Sequence, residues 1–150
     1  MMKRIMIDAE KCDGCLNCTF ACMDANRKQG TVYDLKVTAK ENPARNRIEK
    51  IGPKYFPIFC RHCDEPDCVG ICMSGALSKN PETGLVEYDK ERCCGCYMCV
   101  MACRYGHPKQ YFDNKTVVRC SFCQDTDGKE PKCVQACPKD AIYIEEVDIQ

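Results

Sequence analysis

Seventeen of the 150 residues are cysteines, and sixteen of these fall into four phrases. The first is Cys12-x2-Cys15-x2-Cys18-x3-Cys22 and the third is Cys93-x2-Cys96-x2-Cys99-x3-Cys103. The second, Cys60-x2-Cys63-x4-Cys68-x3-Cys72, and the fourth, Cys120-x2-Cys123-x9-Cys133-x3-Cys137, lengthen only the middle spacer. Two-residue gaps wrap the backbone around a cube of iron and sulfide, so that three thiolates converge on it while amides stay free to bond the sulfurs. Sixteen thiolates in this pattern predict four [4Fe–4S] clusters, and the chemistry such groups perform is one-electron transfer.

Gly14 and Gly95 stand where the turn is tightest and permit a positive φ or a close backbone approach; phrases two and four lack this glycine. In two-cluster ferredoxins the fourth cysteine of a phrase binds the other cluster of the pair, so the phrases must work in twos. Between phrases two and three, residues 73–89 read as a short strand, a turn through Pro81 and Gly84, and a returning strand. No such link follows phrase one, whose exit over residues 23–30 reads as a helix ending at a glycine. Residues 4–8 and 141–145 alternate like strands and can pair as the outer edges of a second lobe.

These elements predict an α+β protein of two nested, bacterial-type 2[4Fe–4S] ferredoxin-like lobes with short strands, short helices and many loops. Residues 1–30 plus 113–150 form the outer lobe, 60–112 the inner lobe, and 31–59 a connector. Site A then comprises Cys12, Cys15, Cys18 and Cys137, and site B Cys120, Cys123, Cys133 and Cys22. Site C comprises Cys60, Cys63, Cys68 and Cys103, and site D Cys93, Cys96, Cys99 and Cys72. The sequential pairing, one with two and three with four, is the alternative.

The rest of the chain must hold these sites, and its aliphatic content is low. Leu, Ile, Val and Phe make up only 27 of 150 residues, so cohesion is expected from the metal and the metal-free chain should be largely unfolded. Formal charge is zero, with 22 basic and 22 acidic residues. Each oxidised cluster with its thiolates adds about −2, mostly internal, and the dispersed basic residues then read as compensation rather than as a nucleic-acid footprint. The first residues lack an apolar export segment and no apolar run is long enough to span a bilayer, so a reducing cytoplasm with no direct membrane insertion is expected.

Within the connector, residues 31–38 suggest a strand, with Pro43, Gly52, Pro53 and Pro57 as punctuation. Residues 23–59 carry eight basic and four acidic side chains, which suit either a docking face for a redox partner or a solvated connector. Residues 124–132 read as a polar surface loop inside phrase four. Cys94, the odd cysteine, is either a passive small residue or a substitute ligand or redox-active thiol. His62 and His107 adjoin cluster cysteines and can donate to a sulfur or raise a potential. Arg104, in place of the usual proline after a fourth cysteine, places a cation near the inner pair. Phe20, Met98, Met101 and Phe122 read as packing around the clusters.

The phrase architecture resembles the four-cluster iron–sulfur subunits of the formate dehydrogenase, hydrogenase and dimethyl sulfoxide reductase type. The runs Phe56-Pro-Ile-Phe-Cys-Arg-His-Cys63, Cys72-Met-Ser-Gly-Ala76 and Cys99-Val-Met-Ala-Cys103 look most like ferredoxin-type proteins associated with carbon monoxide dehydrogenase. The resemblance implies the nested pairing and a non-catalytic, cytoplasmic electron-transfer subunit of anaerobic metabolism. Its partners would be carbon monoxide dehydrogenase, or a formate dehydrogenase, hydrogenase or tungsten oxidoreductase, together with an electron-acceptor protein. No Gly-rich phosphate loop or nucleophile–base pair is visible. Structural zinc is the alternative chemistry for Cys-x2-Cys pairs, although zinc sites draw their cysteines from two separated knuckles. A redox sensor would need an output element that these residues do not supply.

Overall fold

Alternating apolar residues at the two ends of the chain make its longest pairing. In the computed structural model β1 (Met2–Ile7) runs antiparallel to β8 (Ile142–Val147), with Ile5 opposite Ile144 and Ile7 opposite Ile142. Lys3 faces Glu146 and Arg4 faces Glu145, so the charges on this ribbon are complementary across the strands. The structure describes residues 1–38, 40–111, 113, 115–126 and 130–148.

The expected inner hairpin forms from β4 (Leu77–Lys79) and β5 (Val86–Tyr88). Among the described residues four short helices carry cysteines: α1 (Asn17–Ala25), α2 (Asp67–Gly70), α3 (Met98–Ala102) and α4 (Lys132–Gln135). Helix α1 packs on α4 and α2 on α3, so the halves repeat one plan, the outer wrapped around the inner in sequence. Ile5, Phe59, Leu85, Phe122 and Ile142 form a core reaching from one half to the other. Among the described residues no helix is long and apolar enough to cross a membrane.

Three expectations need correction. Residues 31–38 are not a strand. Val32–Asp34 is a 3-10 turn, because the Asp34 carboxylate accepts from the Thr31 amide at 2.7 Å and from its hydroxyl at 2.9 Å, a local closure that competes with pairing. Helix α1 ends at Ala25, short of Gly30, where the Asn26 side chain donates to the Cys22 carbonyl at 2.7 Å. A further hairpin, β2 (Arg47–Ile51) with β3 (Lys54–Ile58), occupies residues read as punctuation. Gly52, at φ 60°, and Pro53 are its two-residue turn, and Pro57 is tolerated because a two-stranded ribbon has only edges. The strands β6 (Lys109–Gln110) and β7 (Val117–Val118) close a last, minimal ribbon. Part of the loop within 124–132, residues 127–129, lies outside the described residues.

Candidate metal centre

Among the described residues, cysteines wall four cavities. One is lined by Cys12, Cys15, Cys18 and Cys137, and a second by Cys22, Cys120, Cys123 and Cys133. A third is lined by Cys60, Cys63, Cys68 and Cys103, and the fourth by Cys72, Cys93, Cys96 and Cys99, with exposed Cys94 also on its wall. Each thus gathers three cysteines of one phrase and the last cysteine of another, and the sets coincide with sites A to D. All seventeen cysteines are free thiols.

The same turn recurs at the first pair of each phrase. Gly14 and Gly95 have φ of 75° and 70°, and the positions matching them are His62 at 42° and Phe122 at 58°. A left-handed conformation at such residues is strained, and here the side chains have a use that hydrogen cannot fill. The rings of His62 and Phe122 meet edge to face at 6.0 Å, closing the two halves together. At Gly95 a Cβ would stand 2.7 Å from the Lys115 carbonyl oxygen, so this position also requires a close approach.

Amides aim at the sulfurs. His107 N donates to Cys103 Sγ at 3.4 Å and Ala141 N to Cys137 Sγ at 3.3 Å, each four residues past its cysteine. Burial pushes the Cys72 thiol up, but hydrogen bonds from the Ser74 hydroxyl and from the backbone of Leu77, Ala76 and Ser74 outweigh it and hold the thiol below its usual range. Cys22 is served differently, by Arg45 N at 3.2 Å, an amide of the connector. Asn46 Nδ2 donates to the Cys18 carbonyl at 3.1 Å, and Lys109 Nζ holds the Ala44 and Asn46 carbonyls at 3.0 Å each. Arg45 and Asn46 are therefore part of the wall of site B, whereas Tyr33, at 94% exposure, stands in solvent.

Burial pushes the Cys18 and Cys99 thiols up to about 11, and raises Cys120, Cys133 and Cys22 as well. An apolar pocket disfavours a bare thiolate, and a bound cation reverses that preference. Burial, then the Arg119 cation, hold both His62 and His107 down at about 3, so both are neutral. Both imidazoles accept, His62 Nδ1 from Val86 N at 2.9 Å and His107 Nε2 from Cys120 N at 3.3 Å. With Nδ1 accepting, the N–H of the neutral His62 ring is on Nε2, a buried donor on the wall of site C that is available for the expected donation toward a sulfur. Arg104 stands on the wall of site C, near the inner pair as expected, but its guanidinium is exposed and paired with Asp67, 2.9 Å away, where water screens it.

The cation that reaches a sulfur is Arg119, whose Nη2 donates to Cys60 Sγ at 3.4 Å. Sequence reading missed it, since an arginine before a cysteine carries no signal of direction. Its Nε and Nη1, and Nε2 of His62, are buried without hydrogen-bond partners. Orphaned donors on the wall of site C, beside four thiols, fit an anionic sulfur-rich body there. Among the described residues no three His, Cys, Asp or Glu side chains gather as a single-ion site.

A family model for the 4Fe–4S dicluster domain matches residues 51–147. This protein belongs to that family. The B subunit of anaerobic dimethyl sulfoxide reductase from Escherichia coli strain K12 is 35% identical over 150 residues, covering 95% of this chain and 72% of its own. Protein NrfC of the same strain is 32% identical over 148 residues, covering 94% of this chain and 64% of its own. The chain spans only 60% of the NrfC homolog of Haemophilus influenzae. One polypeptide of the BamBC active-site complex of benzoyl coenzyme A reductase, solved with zinc, shares the fold at a TM-score of 0.52 and 22% identity, covering 99% of this chain and 81% of that one. The α+β, ferredoxin-like architecture is that of an iron–sulfur dicluster protein, and the cofactor class is [4Fe–4S].

Proposed function

We propose that this dicluster-family protein is a non-catalytic relay carrying four [4Fe–4S] clusters, one at each of sites A to D. The observation that carries the reading is the composition of the cavities, each walled by three cysteines of one phrase and the fourth of its nested partner. A cluster at each site would supply a reversible one-electron store; the chain supplies thiolates, amide donors to them, and apolar walls that keep water back. The lobes follow the same nesting, 1–30 plus 113–150 around 60–112, with 31–59 between them.

The order of the sites is read from which residues of neighbouring cavities pack or join across them. Cys18 of site A packs in one cluster with Cys133 of site B, Arg119 beside Cys120 of site B reaches Cys60 of site C, and Cys68 of site C packs against Cys99 of site D. Electrons would therefore pass along A, B, C and D in line. A larger redox enzyme performs the chemistry at one end, and a flavoprotein, hydrogenase or soluble ferredoxin takes electrons at the other. The runs around Cys60, Cys72 and Cys99 favour carbon monoxide dehydrogenase as that enzyme, and the likeness to the dimethyl sulfoxide reductase B subunit favours a reductase complex of that type. A reducing cytoplasm suits the free thiols.

The test is air-free purification with iron, sulfide and zinc analysis, then pull-down with identification of what is captured. About sixteen irons per chain, broad absorption near 400 nm and a stoichiometric redox enzyme are expected. Zinc in place of iron, or far fewer irons, overturns the reading.

A further inference from the structure

Arg119 occupies an unusual position for a cation. It is only 7% exposed, whereas the less deeply placed Arg4 and Arg47 each have a carboxylate, Arg4 holding Asp64 and Arg47 holding Glu49. No carboxylate pairs with Arg119 among the described residues. Among the described residues its guanidinium's one hydrogen bond runs to Cys60 Sγ, and its nitrogens Nε and Nη1 are buried and unpaired. The imidazoles around it, His62 and His107, are both placed as acceptors of backbone amides and bring no compensating negative charge. The residue after it is Cys120, on the wall of site B, so its backbone belongs to one half of the molecule and its guanidinium to the other.

We propose that Arg119 is a positioning residue for electron flow, raising the reduction potential of site C so that an electron is drawn across the junction between the two halves. The inference rests on the reading of sites B and C as cluster sites. Reduction of a cluster held at site C would add one electron, given up by a cluster at a neighbouring site, with no bond made or broken. The more negative, reduced state interacts more favourably with a cation fixed at Cys60 than the oxidised state does, which moves the potential upward. Site B receives less of this effect, since Cys120 is joined to Arg119 by backbone while the charged end points away to Cys60.

The test uses the full chain with its clusters in place, comparing wild type, Arg119→Gln and Arg119→Lys by iron content and by potentiometric titration followed by electron paramagnetic resonance. A Cys63→Ser variant identifies the site C component, as the one it alters. Wild type with far fewer than about sixteen irons refutes the cluster reading itself, before Arg119 is tested. With iron intact, Arg119→Gln is expected to lower the site C reduction equilibrium at least tenfold, about 59 mV for one electron, with Arg119→Lys keeping it within tenfold of wild type. A smaller shift in the Gln variant, or an equal fall in both variants, overturns the proposal. Should the Gln variant be short of iron, the Lys variant decides. Full iron with the site C component within tenfold of wild type supports the role of charge, and iron loss or a larger fall refutes it.

Discussion

At the scale of single residues, the fourth cysteine of each phrase and the left-handed turn positions decide what the sites can be. Cys22 lines the cavity of Cys120, Cys123 and Cys133 rather than that of its own phrase, and takes its amide from Arg45. Cys22→Ser is therefore expected to alter the spectroscopic signature of site B; damage confined to the site of Cys12, Cys15 and Cys18 would refute the swap. Phe122 illustrates two effects of opposite sign. Phe122→Gly would relieve a left-handed backbone that costs about 1–2 kcal/mol, but emptying a buried phenylalanine site costs about 3–5 kcal/mol. Burial at 3% exposure lets the second effect win. The variant should unfold at lower denaturant than wild type, and a higher midpoint would show that backbone strain dominates.

At the scale of elements, the connector divides at about residue 40. Its first part is a solvent-facing 3-10 turn, and its second part, with the β2–β3 hairpin, is built into the body. Lys109 is the bolt: one ammonium bonds two buried carbonyls, those of Ala44 and Asn46. Lys109→Met would leave two buried acceptors unsatisfied, at about 1–3 kcal/mol each. The expected outcome is a lower urea midpoint with faster proteolysis between residues 31 and 46. Unchanged proteolysis there would mean that Asn46 and Arg45 suffice to hold the segment.

At the scale of the whole molecule, short helices of four to nine residues and ribbons of two strands cannot be stable alone. What unites them is the set of four thiol-walled cavities and a small apolar core around Phe59, Phe122 and Ile142. Stripping iron anaerobically with a chelator should abolish cooperative unfolding and most of the far-ultraviolet circular dichroism, both returning on addition of iron and sulfide. A metal-free chain that keeps a sharp thermal transition would show that the protein core is sufficient.

The cysteine spacing, with the terminal strands and the central hairpin, was enough by itself to specify the ferredoxin-like class, since ligand spacing and strand alternation are local properties written in neighbouring residues. The β2–β3 hairpin left only its turn, Gly52-Pro53, in the sequence, since Pro53, Pro57 and flanks without alternation obscured the strands. Arg104 and Arg119 carry the same charge in the sequence, and only the tertiary structure sends one into water beside Asp67 and the other inward to Cys60. Direction and burial arise from contacts between residues far apart in the chain, and that is why the placement of the buried cation belongs to the fold and not to the order of the amino acids.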